Sequence, residues 1–326
     1  MSALPQGIDS FLESAGWGEA QIAPLPGDAS FRRYFRITNG DGRSAMLMHA
    51  PPPHEDPEPF LHVARWLTAE GLRAPEIHAA DPAKGWVLLE DFGNDRMRDW
   101  LDDNPDAETE AYAAAIDAQV ALHKRGPGPF DAYDLPTYQR EAALFTEWYC
   151  PAMDLQVDAG AYQEAWRAAL QPLLARQQPG VSVLRDYHAE NLMLLSGPRE
   201  QGLIDFQDAL VGHPAYDIVS LLQDARRDVS LELEDAMLER YRSAASPGAH
   251  FDADYARLGA QRNAKIVGIF TRLFKRDGKD RYLAMIPRVW AAMERDLAHP
   301  ALEPVARWFD ANVPDDLRAS GGGKIA

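Results

Sequence analysis

Apolar and polar residues follow two different patterns along the chain, one typical of strands before residue 94 and one typical of helices after it. Residues 31–37 are aromatic and β-branched, and residues 45–48 are again apolar. The turn sequence Asn-Gly-Asp-Gly at 39–42 separates these two segments. Two apolar segments joined by such a turn predict an antiparallel β-hairpin.

The rest of the first 93 residues predicts two helices and two more strands. Residues 8–15 predict a short helix, and apolar positions at helical spacing from Phe60 to Leu67 predict another that ends at Gly71. Short apolar runs around Ile77 and at residues 86–89 predict strands. The amino-terminal region is therefore expected to be a small antiparallel β-rich domain.

The remainder of the chain is expected to be mostly helical, with one interruption. Apolar residues recur at helical spacing in five Ala-rich runs, at 108–123, 159–177, 231–245, 252–276 and 283–298. Apolar runs at 181–184, 192–195 and 202–206 are too short for independent helices and predict small strands within the helical region. The pattern predicts an α+β protein with domains at 1–93 and 94–318, followed by a disordered tail at 319–326.

Composition excludes several classes of protein. The chain has 326 residues, of which 46% are hydrophobic and 25% charged, as in ordinary globular proteins. Its net charge of −17 repels nucleic acid and anionic lipid, and no apolar run reaches the length of a membrane span. Cys150 is the single cysteine, so an intrachain disulfide is impossible. We expect a cytoplasmic protein with no nucleic-acid, membrane or obligate protein partner.

Polar residues cluster around the short apolar runs of the helical region. Asp186, His188, Asn191 and Asp205 lie at the ends of these runs or in the loops that join them. Two carboxylates and an amide oxygen are suited to phosphoryl transfer, in which one acid orients the attacking hydroxyl and the other oxygens hold Mg²⁺ on the nucleotide phosphates. The alternative interpretation is that these residues are loop acids and a turn-forming Asn without catalytic function.

The spacing of Asp186 and Asn191 is not specific by itself, because Asp99 and Asn104 have the same separation. The second pair lies in a polar run that no pair of short strands follows. The whole arrangement from residue 181 to residue 206 therefore carries the prediction, and Asp99 serves as an internal control.

Three ordered motifs resemble those of the aminoglycoside phosphotransferase family. They are Leu-Arg-Asp-Tyr-His-Ala-Glu-Asn at 184–191, Leu-Ile-Asp-Phe-Gln-Asp-Ala at 203–209 and Gly-His-Pro-Ala-Tyr-Asp at 212–217. The resemblance implies a bilobal protein-kinase-like fold with a small antiparallel β-rich N-lobe and a larger, mostly helical C-lobe. ATP and Mg²⁺ are the implied nucleotide and metal.

Within that family, segments 26–36, 48–52 and 268–273 look most like the anomeric kinases of N-acetylmuramate and N-acetylglucosamine, which act in cell-wall recycling. The implied reaction is phosphorylation of the C1 hydroxyl of such an amino sugar by ATP. Two alternatives stay open. One is a kinase of another small alcohol, of the aminoglycoside, choline or homoserine type, and the other is a nucleotide-binding pseudokinase.

The resemblance also assigns roles to individual residues. It makes Asp186 the catalytic base, Asn191 and Asp205 the magnesium ligands, and Asp217 a structural support. The predicted nucleotide-binding residues lie in the loop before the first predicted hairpin strand, in that strand and in the hinge-like segment; they are Gly27, Asp28, Ser30, Arg32, Glu90 and Phe92.

The usual phosphate-binding lysine of kinase-like folds is missing from the expected strand. No lysine precedes Lys84, and the equivalent region reads Ala-Met-Leu-Met-His at 45–49. Arg32, Arg33, Arg36 and Arg43 are the candidates for a replacement cation, with a solvated strand face as the alternative.

Cations in the later helical region favour an uncharged or anionic acceptor. Seven Lys and Arg stand between Gly259 and Tyr282 against two Asp. Arg262 and Lys265 are the preferred pair for binding a sugar carboxylate, because guanidinium and ammonium groups donate hydrogen bonds to carboxylates. His188, Tyr138 and Trp148 complete the predicted substrate-binding residues, the two aromatic rings as stacking surfaces. The alternatives are that the cations lie on a solvated helix face and that the aromatic rings pack in the core.

Overall fold

A computed structural model describes residues 6–26 and 31–325. The protein has the expected α+β organisation, with an antiparallel sheet in the amino-terminal region and a mostly helical remainder. The chain divides into two compact units. The smaller unit comprises the chain up to Trp100 together with Asn191–Asp208, and the larger unit comprises Leu101–Glu190 and the chain from Ala209 onward.

The strands follow the chain in the order β1 (Gln21–Pro24), β2 (Arg33–Thr38), β3 (Ser44–His49), β4 (Ile77–Asp81), β5 (Trp86–Glu90), β6 (Val181–Val183), β7 (Leu192–Leu194), β8 (Gln201–Leu203) and β9 (Leu210–Gly212). The helices are α1 (Ile8–Ser14), α2 (Glu58–Ala69), α3 (Met97–Asp103), α4 (Glu108–Lys124), α5 (Leu135–Leu144), α6 (Cys150–Ala152), α7 (Ala159–Arg176), α8 (Ala215–Leu222), α9 (Leu231–Ala245), α10 (Phe251–Asp277), α11 (Ile286–Leu297), α12 (Glu303–Asn312) and α13 (Asp315–Ala319). One π-helical turn, Phe145–Tyr149, joins α5 to α6. None of the helices within 6–26 and 31–325 has the length and apolar character that crossing a membrane requires.

The smaller unit is built on a five-stranded antiparallel sheet in the order β1-β2-β3-β5-β4. The predicted hairpin is confirmed: the N–H of Asn39 donates to the carbonyl of Arg43 at 3.0 Å, which closes the turn between β2 and β3. Alternation along β2 buries Phe35 and Ile37, and both pack with residues of α1 such as Leu12. This core fixes the register of the strands because a one-residue slip would move the apolar side chains to the other face.

The short strands of residues 181–212 form two separate two-stranded sheets rather than one group. β6 pairs with β9, which the sequence pattern did not predict, and β7 pairs with β8. The β7-β8 hairpin belongs to the smaller unit. There the N–H of Leu194 donates to the carbonyl of Asp95 at 2.7 Å, and that of Leu203 donates to the carbonyl of Arg73 at 2.8 Å.

These backbone bonds correct the expected division at residue 93. The smaller unit extends to Trp100 and takes in a hairpin that is nearly a hundred residues further along the chain. A local change in composition cannot reveal such a pairing, because the partner strands are distant in sequence.

The larger unit is helical, and all five predicted runs are helices, α4, α7, α9, α10 and α11. α10 spans 27 residues, and most of its first two-thirds is buried. Such burial on all sides is typical of a central helix.

The expected disordered tail is wrong for the residues that the structure describes, 319–325. The Oη of Tyr149 donates a 2.8 Å hydrogen bond to the carbonyl of the buried Gly322. Gly321, Gly322 and Gly323 have φ values of 71°, 87° and 65°, which glycine adopts without the penalty of a Cβ atom. The glycine run therefore folds back and packs, and its composition alone had suggested flexibility.

Candidate active site

Asp186 follows β6 in the larger unit, in a tight turn of unusual backbone conformation. Arg185 has a φ of 71°, in the left-handed region that residues with a Cβ atom rarely adopt. The N–H of Asp186 donates to the carbonyl of Leu184 at 2.9 Å, and the N–H of His188 donates to the carbonyl of Asp186 at 3.2 Å. Asp186 is half-buried. Non-glycine residues held in this region are concentrated at functional sites.

Asp217, in the first turn of α8, holds the backbone immediately before Asp186. Its Oδ2 accepts from the N–H of Leu184 at 2.6 Å, and its Oδ1 accepts from the N–H of Arg185 at 2.8 Å. Burial raises the pKa of Asp217 to about 7, although the two backbone hydrogen bonds lower it. The geometry supports the structural role predicted for Asp217, because its side chain contacts the turn.

Asn191 and Asp205 lie together in the smaller unit, one directly before β7 and the other two residues after β8. The Nδ2 of Asn191 donates to Oδ2 of Asp205 at 3.4 Å, and the N–H of Ile204 donates to the carbonyl of Asn191 at 3.2 Å. Asp205 has a φ of 60°, and its Oδ1 accepts from Nε2 of Gln207 at 3.0 Å. Because β7 and β8 are antiparallel, the hairpin brings together two residues fourteen positions apart.

This pair fits a magnesium ion by its chemistry. A carboxylate and an amide supply the hard oxygen ligands that magnesium prefers. Among residues 6–26 and 31–325 no group of three or more His, Cys, Asp and Glu could hold a metal. Further ligands would then be phosphate oxygens and water, which is the usual composition of a magnesium–nucleotide site.

Comparison with known proteins identifies the family. The model of the phosphotransferase enzyme family matches residues 21–260. The chain belongs to this family. It is 39% identical to an N-acetylmuramate/N-acetylglucosamine kinase of Caulobacter vibrioides, over 95% of this chain and 96% of that protein. A protein of the same name from Pseudomonas aeruginosa is 40% identical over 98% and 96% of the two chains.

Solved structures share the fold of this phosphotransferase. A choline/ethanolamine kinase family protein from Mesorhizobium loti matches with a TM-score of 0.60 and 16% identity, over 94% of this chain and 98% of the other. An ADP-bound aminoglycoside phosphotransferase matches with a TM-score of 0.57 and 14% identity, over 94% and 99%. The expected protein-kinase-like fold class is confirmed.

The predicted nucleotide contacts Glu90 and Phe92 are both held by Arg73. The Arg73 guanidinium makes a bidentate pair with the Glu90 carboxylate at 2.7 and 2.5 Å, and it lies 4.6 Å from the centroid of the Phe92 ring. The hydrogen bond from Arg73 holds the pKa of Glu90 below its usual range. Gly202 lies against the same ring, where a Cβ atom would come within 2.4 Å of Phe92. These contacts order the segment after β5, and nucleotide binding by Glu90 and Phe92 stays a prediction.

The other predicted nucleotide contacts are less defined. Gly27, Asp28 and Ser30 lie outside the described residues. The four arginines considered as replacement cations each contact a neighbour, in the pairs Arg32–Glu55 (3.4 Å), Arg33–His49 (3.1 Å), Arg36–Asp91 (2.7 Å) and Arg43–Asp41 (3.0 Å). A phosphate contact by Arg32 therefore stays a prediction.

Lys265, predicted as a sugar-carboxylate ligand, contacts a protein carboxylate, and its contact with substrate stays a prediction. Its Nζ lies 3.1 Å from Oε2 of Glu141, which also accepts a hydrogen bond from Oη of Tyr133. The other carboxylate oxygen of Glu141 contacts Nη2 of Arg185. Sequence reasoning missed Glu141 and Tyr133, because neither stands near the motifs in sequence.

Arg262, also predicted as a sugar-carboxylate ligand, makes an internal contact, and its contact with substrate stays a prediction. Arg262 is only 3% exposed, and its Nη2 donates to Oγ of Ser220 at 2.8 Å. That hydroxyl donates in turn to the carbonyl of Arg185 at 3.2 Å. Both predicted cations therefore belong to the surroundings of the Arg185 turn.

Of the two aromatic residues predicted as stacking surfaces for the sugar, the structure contradicts Tyr138. Tyr138 is fully buried, and its ring stacks on Tyr133 with 3.8 Å between centroids, so a sugar has no access to it. Trp148 is half-buried, and its predicted sugar contact is untested.

His188 is buried in the loop that follows Asp186. Its Nε2 lies 3.3 Å from Nη1 of Arg226, whose Nε is 2.8 Å from Oε2 of Glu190. Asp224 supports the same loop, since its Oδ2 accepts from the N–H of Ala189 at 3.2 Å. These contacts fit the loop-holding alternative for His188, and its contact with substrate stays a prediction.

Proposed function

We propose that this phosphotransferase transfers the γ-phosphoryl group of ATP to the anomeric C1 hydroxyl of N-acetylmuramate or N-acetylglucosamine. One observation carries the proposal: two relatives named for these substrates are 39% and 40% identical over nearly the full length of both chains. The motifs that hold Asp186, Asn191 and Asp205 fall within the segment matched by the family model.

Asp186 is the proposed catalytic base. A half-buried carboxylate at the end of a tightly hydrogen-bonded turn can accept a hydrogen bond from the attacking hydroxyl and take its proton. Because phosphoryl transfer demands little covalent chemistry from the protein, positioning of the hydroxyl supplies much of the catalysis.

Asn191 and Asp205 are the proposed magnesium ligands. Bound magnesium neutralises charge on the nucleotide phosphates. Asn191 and Asp205 lie together at one end of the β7-β8 hairpin, and rotation of the Asn191 amide would turn its oxygen toward an ion shared with the Asp205 carboxylate.

The local excess of cations between Gly259 and Tyr282, seven Lys and Arg against two Asp, favours a neutral or anionic sugar over a polycationic antibiotic. A polyamine acceptor would need the opposite balance.

The substrate suggests a physiological role. N-acetylmuramate is a component of peptidoglycan, and a kinase for the free sugar would act in recycling of the cell wall. Dependence on ATP favours a cytoplasmic location.

A substrate panel tests the proposal. The protein is incubated with ATP and Mg²⁺ together with N-acetylmuramate, N-acetylglucosamine, kanamycin or choline, and ADP release is measured. We expect turnover with one or both amino sugars and none with kanamycin or choline. Turnover with kanamycin or choline but with neither amino sugar would refute the amino-sugar assignment. If none of the four acceptors stimulates ADP release, the kinase assignment is refuted for all four.

A further inference from the structure

Arg185 combines an unfavourable backbone conformation with contacts to its backbone N–H, its carbonyl and its side chain. Its φ of 71° is a conformation in which the Cβ atom crowds the backbone. A residue with a long side chain persists there only where its surroundings fix it. Glycine would adopt the same φ without this penalty, so the side chain of Arg185 requires an explanation.

Two residues of α8 hold the backbone of Arg185 from both sides. Asp217 accepts its N–H at 2.8 Å, and Ser220 donates to its carbonyl at 3.2 Å. Both groups come from one rigid helix, three residues apart, and Arg262 fixes the Ser220 hydroxyl. The peptide plane before Arg185 is therefore anchored through its N–H, and the peptide plane that leads into Asp186 is anchored through its carbonyl.

The side chain of Arg185 is held by a third element. Its Nη2 contacts Oε1 of Glu141 in α5, and its guanidinium lies 5.6 Å from the centroid of the Tyr133 ring. Glu141 is 7% exposed and is itself fixed by Lys265 and Tyr133. Burial alone would raise the pKa of Glu141, but Lys265 and Arg185 outweigh burial and lower it, so the carboxylate is ionised at neutral pH.

We propose that Arg185 is a positioning residue for phosphoryl transfer, and that its ion pair with Glu141, supported by Lys265 and Tyr133, sets the orientation of the neighbouring Asp186. The inference rests on the proposed role of Asp186 as the base. A displacement of about 1 Å at a reacting group lowers turnover by about 100-fold, so the ion pair acts on catalysis without touching substrate.

Arg185→Met and Glu141→Gln test the proposal, because each removes one charge of the pair. Glu141→Gln keeps the size of its side chain, and Arg185→Met keeps an unbranched apolar chain in place of the arginine stem. Arg318→Met is the matched control. Arg318 makes a bidentate pair with Glu294 at 2.8 and 2.6 Å, and its side-chain exposure of 17% is close to the 19% of Arg185. For each variant the melting temperature, kcat and KM for ATP and sugar are measured.

We expect Arg185→Met and Glu141→Gln to lower kcat about 10–100-fold with both KM values within about twofold of the wild type. The double variant should be no slower than Arg185→Met, because residues that act as a unit are not additive. Arg185→Lys, which keeps the charge, should recover part of kcat. Arg318→Met should lower the melting temperature and leave kcat unchanged.

Several outcomes would overturn the inference. One is a folded Arg185→Met enzyme with wild-type kcat, which would leave the ion pair a merely structural contact. Another is a raised KM for sugar at constant kcat, which would make Arg185 an acceptor ligand. If Arg185→Met does not fold, unchanged kcat in both Arg185→Lys and Glu141→Gln would overturn the inference in the same way. Full activity of Asp186→Asn would instead refute the base assignment of the proposed function.

Discussion

Two segments of the chain share the spacing Asp-x4-Asn, and the structure surrounds their aspartates very differently. Asp99 lies on α3 with its side chain 53% exposed, and it pairs with the adjacent Arg98 at 2.6 Å. Asp186 follows a turn whose backbone is held by the buried Asp217 and by Ser220. A surface pair of the first kind contributes little and constrains little. The comparison teaches that buried supporting residues, rather than spacing, distinguish the proposed base Asp186 from the solvated Asp99.

Replacing each aspartate in turn tests this comparison most directly. We expect Asp186→Asn to lower kcat for the amino sugar about 10²–10⁴-fold, because the amide cannot accept the hydroxyl proton. Affinity for ADP, measured by calorimetry, should be unchanged. Asp99→Asn should leave both quantities at wild-type values. Equal losses in the two variants would mean that the surroundings of Asp186 confer no special role.

Asp205 extends the comparison to the metal. We expect Asp205→Asn to raise the Mg²⁺ concentration for half-maximal rate about 10–100-fold, because an ionised ligand is lost. Asp208→Asn is the control, since Asp208 is an exposed acid in the same segment. A magnesium titration of initial rates gives both values. Identical titrations for wild type and Asp205→Asn would exclude Asp205 as a ligand.

The pH dependence of stability tests the contribution of the buried Asp217 to this turn. Its pKa in the folded protein, about 7, lies above its ordinary value of 3.8, mainly because of burial. The stability it contributes is therefore fully present below pH 3.8 and is lost as pH rises through 7. We expect the melting temperature of the wild type to fall between about pH 4 and 7 and to level off above pH 7, and the fall to be smaller in Asp217→Asn.

The same substitution should also lower stability at pH 6, because an amide accepts only one of the two backbone N–H groups and leaving the other unmatched costs about 1–3 kcal/mol. Thermal unfolding across the pH range measures both effects. Parallel curves for the two proteins would show that Asp217 does not titrate in this range.

Two glycines with left-handed backbone differ in the space that their surroundings leave for a Cβ atom. Gly278 and Gly322 both have left-handed backbone, with φ of 66° and 87°. A Cβ atom at Gly278 meets nothing within 4 Å, whereas at Gly322 it would lie 2.7 Å from Trp290. Gly278→Ala should cost about 1 kcal/mol, and Gly322→Ala about 1–3 kcal/mol more. Differential scanning calorimetry measures the difference, and equal melting temperatures would contradict the packing of residues 321–323.

Local patterns were sufficient to predict most of the elements but not their pairing. The hairpin at residues 39–42 and the long helix α10 follow from turn chemistry and helical periodicity, which depend on neighbouring residues. β9 is only three residues long and pairs with β6 across thirty residues, so no local signal identifies it. The packed Gly321–Gly323 segment was missed because its stability comes from contacts with Tyr149 and Trp290.

The sequence points to candidate site residues where polar residues end short strands, as at Asp186, Asn191 and Asp205, and their roles stay predictions. Glu141 and Ser220 were not found in this way, because each lies in a helix and contacts Arg185 from a distant part of the chain. Only the tertiary structure shows that these two residues contact Arg185. Arg262 and Lys265 were correctly placed on one helix, but helical spacing does not reveal that their partners are Ser220 and Glu141.

The position of the transferred phosphate tests the proposed function most directly. Wild-type protein is incubated with ATP, Mg²⁺ and N-acetylmuramate, and the product is examined by proton-coupled phosphorus NMR. We predict a sugar phosphate whose phosphorus couples to the anomeric proton, as in a 1-phosphate. A phosphorus coupled to any other sugar proton, or the absence of a sugar phosphate from both N-acetylmuramate and N-acetylglucosamine, would contradict anomeric phosphorylation by this chain.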